Sequence, residues 1–148
     1  MGQIDQLFWG SVLLGICAVI HVGMLSLSIR LLERLGVALE ERLPSLRVSI
    51  IVLFAFGMIV LSHTIHVWIW AGTLMRMGAI TYWFDAIYFS LVTYTTVGYG
   101  DIVLPIAFRV FGAFGGVTGI LCFGVSTAFL VALLGRLLPR SLTGLKRD

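Results

Sequence analysis

The sequence predicts an all-α membrane protein in which three helices cross the bilayer and a shorter helix enters it without crossing. Of its 148 residues, 59% are hydrophobic and 11% are charged, whereas a soluble domain is about half apolar and about a quarter charged. Three apolar runs reach the about 20 residues that a spanning helix needs. A fourth run is about half as long and leads into a segment with two glycines. Backbone outside a helix is tolerated at membrane depth only where protein buries it or it lines a water-filled path, so this part predicts a re-entrant loop.

The three spanning helices are predicted at residues 7–32, 48–74 and 106–138. Between the first two, residues 31–46 mix leucines with glutamates and arginines, which is typical of an amphipathic cytoplasmic extension or of an interfacial helix. In both cases we expect the helix to end before Pro44, because the residue that precedes a proline avoids the helical region.

The short apolar run, residues 83–95, precedes the re-entrant turn. At about 1.5 Å per residue, such a helix is about 20 Å long, which is roughly half of a membrane. Its C-terminal end carries about half a negative charge, directed at the membrane centre where a cation is least stable. Asp85 lies near the N-terminal end, where a carboxylate stabilises a helix.

The basic residues predict the orientation of the chain. The linker between the first two spans and the end of the chain hold all of the ten basic residues except Arg76 and Arg109. By the positive-inside rule, the linker and the C-terminus are cytoplasmic, the N-terminus is outside, and the re-entrant loop enters from the outer face. Arg109 has two expected roles. Its side chain reaches the outer interface of the membrane, or it bonds to Asp85. Because residues 1–29 and 48–75 contain no basic residue, no voltage-sensing arginine ladder is expected.

The most specific motif is the run that we call the heptad segment, Thr95-Thr96-Val97-Gly98-Tyr99-Gly100-Asp101. It resembles the selectivity filter of potassium channels, in which backbone carbonyl groups replace the hydration shell of the ion. The preceding residues, 85–94, are similar to the pore helix of bacterial potassium-channel pore domains and of two-pore-domain channels. The resemblance covers residues 48–138 as an outer helix, a pore helix, a filter and an inner helix. It leaves residues 1–47 as an N-terminal helix with its linker, and 139–148 as a short cytoplasmic tail.

This resemblance implies that K+ is bound by Thr96, Val97, Gly98 and Tyr99, with Gly100 completing the filter and the Thr96 hydroxyl as the innermost ligand. Turning successive carbonyls toward one axis requires residues at positive φ, which glycine tolerates best. Gly98 and Gly100 are therefore the positions that this chemistry requires. The side chains of Val97 and Tyr99 are expected to point away from the pore and to pack behind the filter.

Four further residues are predicted to support the filter or to form its outer mouth: Thr95, Asp101, Tyr88 and Val92. Some members of the family carry a pore-helix glutamate that contacts the aspartate after the filter, but the matching position here is Val92. Tyr88 or Tyr99 is then the expected partner of Asp101. A carboxylate at the outer mouth that concentrates cations is the alternative role of Asp101.

The third spanning helix is expected to begin after Pro105 and to break at Pro139. Glycine is dense in it, at 112, 115, 116, 119 and 124. The pairs Gly112/Gly116 and Gly115/Gly119 are small residues at a spacing of four, which let membrane helices approach closely, and this packing is their simplest role. By similarity to the family, Gly119 lies close to the position of a gating hinge, and Gly124 is the other candidate for that hinge.

Three histidines lie inside the predicted spans: His21, His63 and His66. Ionisable groups inside a membrane are candidates for function. His63 and His66 are three residues apart and share a helix face, so they are candidates to sense pH or to bind a metal; neutral, hydrogen-bonded histidines are the alternative. Cys17 and Cys122 are expected to be small buried side chains rather than a disulfide.

The predicted function is a homotetrameric potassium channel, embedded in the lipids of a plasma membrane and, by resemblance, of a bacterial inner membrane. One chain supplies one filter strand and a closed ring of carbonyls requires four, so fourfold symmetry follows. K+ is the permeant ion, and no organic cofactor, small-molecule substrate or nucleic acid is expected. Without paired carboxylates, a nucleophile–base set or a phosphate loop, the chain is not predicted to be an enzyme. A weakly selective cation channel and a non-conducting regulatory membrane subunit are the alternatives.

Overall fold

The computed structural model describes residues 2–43 and 45–137. The helices, in chain order, are α1 (Gln3–Arg42), α2 (Arg47–Arg76), α3 (Trp83–Tyr94) and α4 (Ile106–Leu137). Three of them, α1, α2 and α4, are long and apolar enough to cross a membrane. The predicted all-α membrane fold, with three spans and one short helix, is therefore confirmed.

Helix α1 is longer than its predicted apolar span. Its 40 residues correspond to about 60 Å. Residues 31–42 continue the helix without a break, since leucine, glutamate, arginine and alanine are all strong helix formers. Of the two structures considered for this segment, the continuous extension is therefore the one present. The helix ends at Arg42, before Pro44 as expected. Pro44 itself, Leu138 and the predicted tail, 139–148, lie outside the described residues.

The extension of α1 packs against the other two spanning helices. Leu32 and Leu39 are buried in a cluster with two residues of α2, and leucines from the end of α4 pack against this cluster. A salt bridge of 3.3 Å joins Glu40 of α1 to Arg47 at the start of α2. The extension thus forms one packed unit with α2 and α4.

A second contact holds the start of α1 against α4. The buried side chain of Gln6 accepts hydrogen bonds through Oε1 from the N–H groups of Val110, at 3.1 Å, and Phe111, at 3.4 Å. The ring of Phe111 in turn packs on Trp70 of α2, with ring centroids 5.2 Å apart. Helix α1 therefore contacts the rest of its own chain from its first turns to its end.

Helix α3 lies between α2 and α4 and contacts both. Its buried face consists of Ala86, Ser90 and Tyr94. The chain turns after α2 at Gly78, where φ is 70°, a left-handed conformation that glycine adopts without a steric cost. The heptad segment follows α3, and α4 begins directly after Pro105, as predicted.

Candidate functional site

The heptad segment begins at the C-terminal end of α3, and residues 95–101 are all exposed in the single chain. Three of its residues have positive φ: Thr96 at 62°, Gly98 at 56° and Gly100 at 78°. The two glycines adopt the conformation predicted for them. Residues of opposite hand in alternation turn successive peptide groups to the same side. This alternation therefore favours N–H groups on one side of the segment and carbonyl groups on the other.

The positive φ of Thr96 was not predicted. A left-handed conformation costs an L-residue with a side chain about 1–2 kcal/mol, so residue type alone gives no signal for it. The third positive φ does follow from the alternation itself, because it extends the pattern of Gly98 and Gly100 by one step toward α3.

The N–H groups at the start of the heptad segment are satisfied by the last turn of α3. Thr95 donates to the carbonyl of Leu91 at 3.0 Å, and Thr96 donates to the carbonyl of Thr93 at 3.0 Å. The carbonyl of Val92 accepts two bonds, one from Val97 at 3.0 Å and one from Gly98 at 3.2 Å. Val92 therefore holds the heptad segment through its backbone carbonyl, and these hydrogen bonds do not depend on its side chain.

The carbonyl oxygens of residues 96–100, unlike these N–H groups, have no hydrogen-bond partner in the described chain. Within residues 2–43 and 45–137, no donor makes a hydrogen bond to any of them. A backbone carbonyl is a strong neutral acceptor, so this row of oxygens is available to a ligand with positive charge. The hydroxyl of Thr95 is occupied, since it donates to the carbonyl of Leu91 at 2.8 Å.

Asp101 is bonded to α3. The hydroxyl of Tyr88 donates to Oδ2 of Asp101 at 2.7 Å, so Tyr88 is the partner present of the two that the sequence left open. This hydrogen bond favours the carboxylate and lowers the pKa of Asp101 below its usual value. A small cavity of about 120 Å³ lies between α3 and the heptad segment and includes both side chains and Val92 in its wall.

Val97 and Tyr99 were expected to pack behind the segment. In the single chain their side chains are 51% and 73% exposed, respectively. The described residues of one chain therefore do not supply the packing partners that these two side chains were expected to have.

Gly119 lies where α4 crosses the end of α3. A Cβ atom at this position would collide with the carbonyl oxygen of Tyr94, which is backbone and cannot rotate away. At Gly116 a Cβ atom would lie 3.2 Å from the carbonyl oxygen of Thr93, whereas at Gly124 it would meet nothing within 4 Å. The close approach of α4 to α3 thus requires glycine at 119, while the hinge role stays a prediction for both Gly119 and Gly124.

The histidines of α2 meet at the last residue of α3. The hydroxyl of Tyr94 is hydrogen-bonded to Nδ1 of His63 at 2.7 Å and to Nδ1 of His66 at 3.0 Å. Their partners continue into α1 and α4 through His21 and Ser126. Sequence reasoning named the histidines but missed Tyr94 and the serines; polar residues inside apolar spans were the signal that pointed to them.

Arg109 does not pair with Asp85 in the described part of the chain. Its Nε donates to the carbonyl of Leu104 at 2.9 Å, which ties the first turns of α4 to the chain that enters them. Asp85 lies in the first turn of α3, as predicted. The two free cysteines, Cys17 and Cys122, are both buried.

A comparison with known protein families identifies the family of the chain. A family model described as an ion channel matches residues 48–136, which is more than half of the chain and includes α3, the heptad segment and almost all of α2 and α4. Helix α1 lies outside the matched range. No curated protein and no solved structure matches the chain. Since the match extends over more than half of its length, the chain belongs to the ion channel family and is a multi-pass membrane protein of that family.

Proposed function

We propose that this chain is the subunit of a channel selective for potassium ions. One observation carries the proposal: the N–H groups at the start of the heptad segment are bonded to α3, while the carbonyl oxygens of residues 96–100 accept no hydrogen bond from the described chain. Positive φ alternates along the same residues. A potassium ion gives up its hydration shell where a stack of such oxygens replaces the water. Conduction is passive, driven by the ion gradient.

We further propose that four copies assemble around this stack. One chain supplies one row of carbonyls, and surrounding an ion requires a closed ring. The exposure of Val97 and Tyr99 supports a neighbouring copy as their packing partner. So does an apolar groove of about 710 Å³ beside the heptad segment, whose wall includes Trp68, Ile120 and Phe123.

We also propose an orientation of the chain in the membrane. The heptad segment opens to the outer face of a plasma membrane, and the contact between Glu40 and Arg47 lies on the cytoplasmic side. The basic linker supports this orientation through the positive-inside rule.

Ion flux through the purified protein in liposomes tests the proposal. We expect a potassium flux that barium blocks and that exceeds the sodium flux. Gly98→Ala forces a side chain onto a residue with φ of 56° and should abolish the flux. The matched control is Gly15→Ala, an exposed position on α1 where an added Cβ meets nothing within 4 Å; this variant should conduct like the wild type.

Each other outcome selects an alternative. Equal sodium and potassium fluxes would favour a weakly selective cation channel. A folded tetramer that conducts no ion would favour a regulatory membrane subunit. If Gly98→Ala conducts like the wild type, the heptad segment is not the ion path.

A further inference from the structure

A cluster of buried polar side chains lies where α1, α2 and α4 meet beside the end of α3. Three of its members, His21, His66 and Cys122, are at most 4% exposed. One comes from each spanning helix: His21 from α1, His66 from α2 and Cys122 from α4. Burying a polar side chain among apolar helices costs free energy unless it has a hydrogen-bond partner. A buried polar atom that lacks such a partner is therefore a candidate to bind a ligand.

Most of these groups form one hydrogen-bonded chain. His21 is bonded through Nδ1 to the hydroxyl of Ser62 at 2.9 Å and through Nε2 to that of Ser126 at 3.0 Å. Ser126 is bonded to Nε2 of His63 at 3.2 Å. The other ring nitrogen of His63 is bonded to the Tyr94 hydroxyl, which in turn is bonded to His66.

When every hydroxyl proton is used within this chain, the protons have two arrangements. Each hydroxyl has one proton, and a neutral imidazole has one N–H and one acceptor nitrogen. The choice at any hydroxyl therefore sets the direction of every other bond. In one arrangement His66 donates through Nδ1 to Tyr94, which leaves a lone pair on Nε2; in the other, Nε2 carries the proton.

The chain ends at a nitrogen without a partner. Nε2 of His66 is fully enclosed, and in the described part of the protein it makes no hydrogen bond of good geometry. The backbone of Cys17 lies beside the same ring. The first proton arrangement leaves on this nitrogen a lone pair that can be donated to a metal ion. One ligand atom each from His66, His21 and Cys122 lie within 4.8 Å of one another, so two imidazoles and a thiol converge on one point.

We propose that His21, His66 and Cys122 bind one transition-metal ion of the class that accepts imidazole and thiolate ligands, Zn²⁺ or Cu⁺. Zinc with three protein ligands from histidine and cysteine is an established coordination pattern, and soft thiolate ligands also select Cu⁺. Metal–ligand bonds of about 2.0–2.3 Å place ligand atoms roughly 3.5 Å apart. An inward movement of about 1 Å, mostly by side-chain rotation, therefore closes the site.

Binding exchanges bonds without transferring electrons. The Cys122 thiol loses its proton to solvent when its sulfur becomes a ligand. His21 exchanges one of its two serine hydrogen bonds for the metal. His66 uses its unpartnered Nε2 and keeps Nδ1–H donated to Tyr94, so the ion selects one of the two proton arrangements. The ion also joins α1, which lies outside the family match, to the two spanning helices inside it.

This site differs from the sequence-based expectation. The sequence paired His63 with His66 because they share a helix face, with no third ligand. In the structure His63 is bonded on both ring nitrogens, to Tyr94 and Ser126, and it is not among the residues that converge. The site does not depend on potassium conduction, so it stands or fails independently of the proposed function.

Metal binding to the full-length protein without a polyhistidine tag tests the proposal. The protein is purified in detergent, stripped with a chelator and titrated separately with Zn²⁺ and, without oxygen, with Cu⁺. We expect one ion per chain for at least one of the two, measured by elemental analysis. At a free-ion concentration of about 100 times Kd, Tm should rise by about 5–10 °C.

Variants distinguish this site from adventitious binding. Cys122→Ser should weaken binding by about a hundredfold or more, since even outer-shell changes cost 10–100-fold, and should abolish the rise in Tm. The control is Ser28→Ala, which changes a buried polar side chain of α1 two turns from His21 and should bind like the wild type. Binding that Cys122→Ser leaves unchanged, or a wild-type protein that takes up neither ion, would overturn the proposal. If Cys122→Ser does not fold, the wild-type titration alone still decides, and His66→Gln provides the second variant.

Discussion

At Thr96 the backbone adopts a conformation that its residue type disfavours, and this contrasts with the two glycines of the same segment. The φ of 62° at Thr96 costs a β-branched residue about 1–2 kcal/mol, while Gly98 and Gly100 adopt theirs freely. The N–H of Thr96 donates to Thr93, so α3 contributes to holding it there. The conformation of the two glycines can be predicted from residue type. That of Thr96 can be predicted only by extending their alternation, because its residue type disfavours it.

The hydrogen bond from Tyr88 to Asp101 predicts an acid sensitivity. Because this bond favours the carboxylate, the pKa of Asp101 in the folded protein lies below its ordinary value of 3.8. The bond therefore contributes to stability above the unfolded pKa, and the contribution is lost as the pH falls through the lower, folded pKa. Tyr88→Phe removes the donor, so we expect the acid midpoint of potassium flux to move to higher pH.

Flux measured from neutral to acid pH checks this expectation. The control is Tyr82→Phe, because Tyr82 is an exposed tyrosine whose hydroxyl makes no hydrogen bond in the described structure. That variant should keep the wild-type midpoint. Equal midpoints for Tyr88→Phe and the wild type would show that the bond does not set the acid limit of the channel.

At the scale of elements, the crossing of α3 and α4 depends on Gly119. Gly119→Ala places a methyl group against the backbone of Tyr94, and overpacking of this kind typically costs about 1–3 kcal/mol. We expect a loss of this size in the free energy of unfolding, measured by denaturation in mixed micelles. Gly124→Ala is the control. Its Cβ meets nothing within 4 Å and alanine is the better helix former, so we expect no loss of stability. A Gly119→Ala protein as stable as Gly124→Ala would contradict the close approach.

The variants Gly119→Ala and Gly124→Ala also distinguish an effect on helix packing from an effect on a gating hinge. A change of open probability in Gly119→Ala is ambiguous, because its packing also changes. In Gly124→Ala only helix flexibility changes, since alanine is the better helix former by about 1 kcal/mol. A hinge at Gly124 predicts a lower open probability in single-channel recordings of this variant. An unchanged open probability removes Gly124 from consideration as the hinge.

Helix α1 is held to the matched module by Gln6. Gln6→Leu keeps the approximate size of the side chain and removes the acceptor of the Val110 and Phe111 N–H groups. The loss of a buried acceptor predicts a cost of about 1–2 kcal/mol, observed as a lower Tm. Gln3→Leu, at an exposed position in the same turn, should leave Tm unchanged. A Tm for Gln6→Leu equal to that of Gln3→Leu would mean that apolar packing alone holds α1.

At the scale of the whole molecule, the proposed assembly follows from what one chain leaves exposed. The mass of the protein in detergent, measured by native mass spectrometry, should correspond to four chains, which is about four times 16.3 kDa. Gly98→Ala should give the same mass, because its defect concerns the ion path and not the assembly. A monomer that nevertheless conducts would contradict the fourfold arrangement.

Much of the fold is readable because the membrane imposes length and composition on each helix. The predicted starts at 48, 83 and 106 lie within one residue of the observed starts of α2, α3 and α4. The end of α1 was harder, because residues 31–42 are charged and helical at once, and composition does not decide between an extension and a separate helix. The packing of Leu32 and Leu39 into the cluster with α2 decides it.

The sequence by itself determined the helices, the position of the heptad segment and the need for glycine at 98 and 100, because these depend on local backbone geometry and on the thickness of a bilayer. Only the tertiary structure decided which faces meet: Gly119 on Tyr94, Gln6 on α4, and His21, His66 and Cys122 around one point. Spans that are apolar on every side carry no periodic signal for their rotation. Their register is set by which side chains fit together, and that is a property of the packed chain.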